Sequence, residues 1–385
     1  MGVAVWPPRL PGFCDNLPMA ADTSGDRSAH REALTAAWDA YDPDRHIVEV
    51  ADTSPRVSTN SVYRTRLSDG SVVYGKVSSY GSYFLFAEDH DRLFRCTDLL
   101  RGGPFQDFLA PVLGRPTSRG PRPFTWYDGK LWVAFYEEAR RAESLPRQLD
   151  RTSIVGLAGE MARFHSECRR IAPQLPASSN SIKSDAIHLL DLLSSPFAPR
   201  NFDLAPEHVG ALWRHTHDFL MALEELRYDS WDRIPILVDW NLGNFSIRHD
   251  EMGDVRLYSR WDYDWFRIES RLLDFYFLSR VSSATGDRTH WTYSPHTLVE
   301  PTFVDFVEAY SRIDPLSEDE IRFLPHAYRF FILNYVVREG ARFFRPDLCT
   351  RFRNDAARVY LPAADRLDVS PLLRAAERAT QNRRS

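Results

Sequence analysis

The sequence predicts an α+β chain in two parts: a small lobe built on an antiparallel β-sheet, then a larger, mostly helical lobe. Three observations carry this expectation. Two hairpin signals fall within the first 136 residues. From Ser153 onward, amphipathic helical spacing dominates. The helical half is interrupted by one β-like segment, Ile234–Trp265.

The elements follow in order. Residues 31–42 have helical spacing. Ser61–Leu67 alternates as a strand, Ser68-Asp69-Gly70 signals a turn, and Ser71–Val77 is a second strand. Period-two alternation sets Lys76 on the face opposite Val77. A helix is expected over 86–100, ended by Gly102-Gly103-Pro104. Pro123–Trp126 and Leu131–Tyr136 flank Asp128-Gly129, the second hairpin. Glu137-Glu138 opens a polar connector. Ser153–Arg170 and Pro206–Glu225 are amphipathic helices, and Glu251-Met252-Gly253 turns the β-like segment. Beyond Leu272 helix resumes to about Arg378, broken at Asp314-Pro315 and Arg345-Pro346. The expected organisation is a poorly ordered extension over 1–30, an N-lobe over 31–136, a connector over 137–150 and a C-lobe over 151–378.

Composition narrows the function. A net charge of −5 without a polybasic block argues against nucleic acid as a partner. No apolar run is long enough for a membrane span, and the first 30 residues lack the pattern of a signal peptide. The 4 cysteines are scattered without a C-x-x-C pair, so neither a zinc knuckle nor a disulfide framework is indicated, and scattered thiols favour a reducing, cytoplasmic setting. A monomer or homodimer is expected.

The chemistry concentrates in Leu237-Val238-Asp239-Trp240-Asn241-Leu242-Gly243-Asn244 and Trp261-Asp262-Tyr263-Asp264. Asp239 is a carboxylate suited to accept a hydroxyl proton. Asn244 follows five residues on, and Asp262 stands at the end of a strand. An amide and carboxylates are the protein donors Mg²⁺ takes beside water and phosphate oxygens, with Asp264 a second ligand or a loop support. P-loop, dinucleotide-binding, zinc-protease and hydrolase signatures are absent.

From about residue 55 to 345 the chain resembles the aminoglycoside phosphotransferase and choline kinase-like family, which has the protein-kinase-like fold. Asp239, Gly243, Asn244, Asp262 and Asp264 match its H-G-D-x-x-x-G-N and I-D-W/F-E/D motifs, and Asp274 falls twelve residues past Asp262 as the pattern asks. Ser58-Thr59-Asn60 through Arg64 resembles its nucleotide loop, Lys76 its phosphate-anchoring lysine, and Ala158–His165 the helix reading L-A-R-L-H.

The resemblance implies a two-lobed kinase that moves the γ-phosphoryl of ATP, with Mg²⁺, to a hydroxyl of a small metabolite or antibiotic, the latter an antibiotic-resistance activity. ATP is expected between the lobes near Phe135–Glu138, bound through Ser58, Asn60 and Lys76, with Glu88 pairing Lys76. Asp239 is the base, with Asn244, Asp262 and Asp264 at the metal. Asp274 is expected to bond catalytic-loop amides and His165 to be a helix-core histidine. Trp240, Trp261, Tyr263 and Trp265 either pack or line an acceptor pocket. Glu269, Glu300, Asp305 and Glu308 either meet a cationic amine or form a solvated face. Three departures stand against the pattern. Leu237-Val238 replaces His-Gly, Ser270-Arg271 replaces Asp-Pro, and the nucleotide loop has no glycine. They support a second reading, a nucleotide-binding pseudokinase or scaffold.

Overall fold

The computed structural model describes residues 24–54, 60–79, 81–118, 120–284, 292–342 and 344–384. The expected N-terminal extension lies outside them as far as residue 23, and helix α1 (Ser24–Tyr41) takes up the rest. The chain divides into two compact units: 1–94 with 111–138 and 342–345, and 95–110 with 139–341 and 346–385.

In the first unit, five strands among the described residues form one antiparallel sheet. They are β1 (Ile47–Asp52), β2 (Ser61–Leu67), β3 (Val72–Ser78), β4 (Thr125–Tyr127) and β5 (Trp132–Glu137), in the order β1-β2-β3-β5-β4. Both hairpins form where the turn signals stand, with Gly70 at φ 85° and Gly129 at φ 101°. One face is covered by α1, whose Leu34, Ala37 and Trp38 pack with Val73, Val77, Val133 and Phe135. Burying such a side chain contributes roughly 1.5–3 kcal/mol. A Cβ at Gly75 would lie 2.3 Å from Leu34, so α1 approaches this closely only because residue 75 is glycine. The opposite face carries Lys76, which is in register with Ala134. Helix α2 (Tyr83–Leu99) meets the sheet there through a 2.6 Å hydrogen bond between His90 and the Tyr136 hydroxyl. Alternation alone thus placed Lys76 away from the α1 core.

The second unit is centred on α3 (Arg151–Ile171), capped by Asp150 accepting from Ser153 N. Residues 95–110 belong with it because Phe105 and Phe108 lie edge-on to Phe164, at 5.4 and 5.1 Å. The helical part also contains α4 (Ile182–Ser194) and α5 (Pro206–Glu225). Strand β6 (Ile234–Ile236) precedes the candidate site. The β7 (Phe245–His249) and β8 (Val255–Arg260) hairpin follows it, and β9 (Arg267–Glu269) returns to pair with β6. Beyond β9 come α6 (Phe275–Ser282), α7 (Pro301–Ser311), α8 (Glu318–Phe331), α9 (Pro346–Asp355) and α10 (Ser370–Arg384). Where the sequence suggested plain helix, Ile332–Arg338 and Ala356–Tyr360 are wider π-type turns. No helix of the described residues is long and apolar enough to cross a membrane.

Candidate active site

Leu237 to Asn244 forms a loop between β6 and β7, and its shape is imposed from outside. Asp274, with no solvent exposure, accepts from Leu237 N at 3.2 Å and Val238 N at 2.6 Å. Its second oxygen accepts from His165 Nε2 at 3.0 Å, and His165 Nδ1 meets the Tyr310 hydroxyl at 2.8 Å. One buried carboxylate therefore ties the loop to α3. Five residues earlier on α3, Glu160 accepts from Leu257 N at 2.9 Å and so fixes β8. The helix resembling L-A-R-L-H thus holds both sides of the site, and His165 is a supporting residue.

Val238 has φ 59°, the left-handed region, where a β-branched residue is strained. Such strain costs about 1–3 kcal/mol. The bond from Val238 N to Asp274 offsets it, and Val238 is 2% exposed, so its side chain also packs. Replacing Val238 with Gly relieves strain of about the same size as the packing it removes. Val238→Gly is therefore expected to change stability by less than about 1 kcal/mol, whereas Val133→Gly in β5 should cost about 3 kcal/mol or more. Denaturant melts of the two variants check this.

Asp239 keeps partial solvent access, and its Oδ1 accepts from Asn241 N at 3.3 Å and Nδ2 at 2.5 Å. Burial raises its carboxyl above the ordinary carboxylate value, against the lowering effect of Arg260. Asn244 Nδ2 donates to the Asp239 carbonyl at 3.3 Å, and the Asn244 carbonyl accepts from Trp261 N at 3.0 Å. That last bond sets Asp262 one residue from the Asn244 backbone. Asp262 is itself left-handed, φ 68°, and Asp264 N lies 3.4 Å from its Oδ1. Asp239, Asn244 and Asp262 are therefore brought to one loop cluster.

Arg260 is a feature the motifs did not flag. It is fully buried, donates from Nη2 to the Asp262 carbonyl at 3.0 Å, and stands 5.4 Å from the Trp240 ring. Among the described residues its Nε and Nη1 have no hydrogen-bond partner. Burial pulls its pKa down, opposed first by the charge of Asp239 and then by Asp262. A guanidinium held this way positions the Asp262 backbone in its unusual torsion. The sequence carries no signal for it: alternation groups Arg260 with the half-buried Arg256 and Tyr258, and an irregularity between Leu257 and Ser259 breaks that register.

The remaining candidates fall as follows. Lys76 lies 7% exposed on β3. Glu88 is on α2, which packs on the same face of the sheet, and it forms an ion pair with the buried Arg92. Asn60 immediately precedes β2, while Ser58 lies outside the described residues. Trp240 is core, against Phe108 and Phe245, and Trp261 lies under Arg141 at 4.7 Å. Tyr263 donates to the Arg260 carbonyl at 2.5 Å. Trp265 stacks on Tyr335 at 4.4 Å.

The four acids offered for a cationic amine are all engaged. Glu269 is not solvated: it is 1% exposed and accepts from Ile182 N and the Tyr228 hydroxyl, at 2.9 and 2.8 Å. Buried amide and hydroxyl donors next to it needed an acceptor, and the carboxylate supplies it. Glu300 accepts from Ala284 N, Asp305 pairs with Arg151, and Glu308 pairs with Arg312 and Arg378. Arg271, which departs from the Asp-Pro pattern, makes a bidentate pair with Glu320 at 2.9 Å and also pairs with Asp314. A cavity of about 380 Å³ lined by Arg169, Trp231, Arg271 and Asp314 contains none of the candidate site residues.

Among the described residues, no cluster of three or more His, Cys, Asp or Glu side chains is arranged for a metal. One amide, Asn244, and one carboxylate, Asp262, on neighbouring backbone still suit Mg²⁺, which keeps most of its shell as water and phosphate oxygens.

No family model matches the sequence, and no curated protein matches it. Solved structures do match in three dimensions. An amicoumacin kinase in complex with AMP-PNP, Ca²⁺ and its ligand superposes with TM-score 0.57 at 14% identity, over 91% of this chain and 98% of that one. A microcompartment-associated aminopropanol kinase gives 0.56 at 17% identity, over 89% and 99%. The Plasmodium vivax ethanolamine kinase gives 0.52 at 11% identity, over 87% and 89%. At these identities what is shared is architecture: the chain has the two-lobed, protein-kinase-like α+β fold of these small-molecule kinases.

Proposed function

We propose that the chain is an ATP-dependent small-molecule kinase that phosphorylates a hydroxyl of a metabolite or antibiotic. The observation that carries the reading is the Trp261–Asn244 backbone bond, which sets Asp262 beside Asn244 in the loop that also holds Asp239. The neighbours support it: by their names they act on amicoumacin, aminopropanol and ethanolamine, and one is a complex with AMP-PNP and Ca²⁺.

In this reading Asp239 orients the acceptor hydroxyl and takes its proton on Oδ2, since Asn241 occupies Oδ1. Asn244 and Asp262 hold Mg²⁺, with Asp264 beside them. A bound Mg²⁺ neutralises phosphate oxygens as charge develops. Lys76 holds the nucleotide phosphates, with Glu88 near it and Asn60 and Ser58 in the nucleotide loop. Asp274 and His165 keep the loop from shifting, and positioning is most of what such a site supplies.

Thermal melts with AMP-PNP, with and without Mg²⁺, test the reading. A ligand at a hundred times its Kd adds about 2.7 kcal/mol. The expected result is a Tm rise that requires Mg²⁺ and is lost in Asp262→Asn. A rise independent of Mg²⁺ and of Asp262, with no phosphoryl transfer to any hydroxyl compound, would instead favour the pseudokinase reading, which the buried Leu237 in place of a histidine supports.

A further inference from the structure

The acceptor is the undefined part of this reading, and the charges around Asp239 constrain it. Arg280 lies on α6, the helix that begins just after Asp274. Its guanidinium rests on three rings, 5.5 Å from Phe277, 5.5 Å from Tyr293 and 6.0 Å from Tyr276. Among the described residues its side chain has no hydrogen bond or ion pair, and it keeps partial solvent access. Beside it the Tyr276 hydroxyl is buried, the residue being 2% exposed, and has no hydrogen-bond partner. An unsatisfied buried hydroxyl costs about 1–3 kcal/mol unless something meets it.

These groups connect to the site. Trp265, one residue beyond Asp264, lies 5.7 Å from Phe277, the ring that carries Arg280. The charge of Arg280 reaches Asp239, and the charge of Asp239 reaches Tyr293. The cation and the candidate base are thus near enough to feel each other's charge, and the Phe277 ring links Arg280 to Trp265 beside Asp264. The acids that would hold an ammonium group are all engaged elsewhere, as described above.

We propose that Arg280 and the Tyr276 hydroxyl receive a carboxylate of the acceptor, so that the substrate is a hydroxy acid with an apolar or aromatic body rather than an amino alcohol or a polyamine antibiotic. A guanidinium pairs a carboxylate through two parallel N–H bonds, and it also stacks on rings without losing that capacity. One unpaired cation matches one negative charge. A phosphate dianion would bring a second charge toward Asp239. The assignment of this space to the acceptor rests on the kinase reading, but the binding does not.

The test uses a matched pair on the full chain: 3-phenyllactate and phenylalaninol, which share ring and hydroxyl and differ in carboxylate against ammonium. Calorimetric titration in the presence of AMP-PNP and Mg²⁺ should show phenyllactate binding at least tenfold tighter. Arg280→Met should remove that preference, and Arg280→Lys should keep part of it, with AMP-PNP stabilisation unchanged in both. Equal binding, preference for the amine, binding of neither, or loss of the nucleotide shift in Arg280→Met would each overturn the proposal. If Arg280→Met does not fold, Arg280→Lys and Tyr276→Phe are measured instead, and each should weaken phenyllactate binding several-fold; no weakening overturns the proposal. A chain that binds phenyllactate through Arg280 but transfers no phosphoryl group fails the kinase reading and keeps this one.

Discussion

Asp239→Asn is expected to lower kcat by about 10²–10⁴ while nucleotide binding persists, because the amide keeps the shape of the carboxylate but cannot take a proton. The loss should appear in kcat with KM little changed, since the interaction matters only as the proton moves. Stability should move the other way. Burial raises the Asp239 carboxyl above its ordinary value, so in the metal-free protein the charged form is less favoured folded than unfolded. That deficit is present above the folded pKa and vanishes as pH falls below the unfolded value. At neutral pH without metal, Asp239→Asn should therefore melt no lower than the parent chain. Unchanged turnover would remove Asp239 as the base.

Asp274→Ala is expected to give the largest structural effect. It strands two backbone N–H groups and His165 Nε2, all buried, and breaking such a centre costs about 3–5 kcal/mol. Turnover should be lost with it, because among the described residues the amides of Leu237 and Val238 have Asp274 as their acceptor, while the Asp239 amide bonds only within the turn, to the Leu237 carbonyl. Asp274→Asn retains one oxygen for Val238 N but presents an NH₂ group as well, and should fall between the two. Chemical denaturation followed in parallel with nucleotide-dependent melts separates lost stability from lost function. A loss below about 1 kcal/mol would show that water or a neighbouring group replaces the carboxylate.

Much of this was legible in the sequence because the signals are local. Ser68-Asp69-Gly70 and Asp128-Gly129 announce their own hairpins, and strand alternation set Lys76 against the α1 face. The spacing from Asp262 to Asp274 reflects a geometry in which the later residue reaches back to the amides of Leu237 and Val238, and it does. Arg260, Arg280 and the fate of Glu269 were not legible. Whether a glutamate is paired depends on which donors other elements bring, and for Glu269 those lie far away in sequence, at Ile182 and Tyr228; Arg280 rests on rings of its own helix and on Tyr293, and nothing in the local pattern says that a cation there stays without an acid. The wide turn at Ile332–Arg338 was equally hidden, since no residue type marks it.

The valine at 238 has a consequence for how the protein comes into being. A glycine there would sample the left-handed turn in the unfolded chain, so the loop would be partly prepared before anything docked against it. Val238 avoids that torsion until Asp274 and His165 arrive, and they come from segments 36 residues downstream and 73 residues upstream. The loop thus keeps this shape only in a chain where Asp274 and α3 are both in place. A nascent or clipped chain that carries the whole motif but lacks either helix would hold the letters of an active site and none of its chemistry.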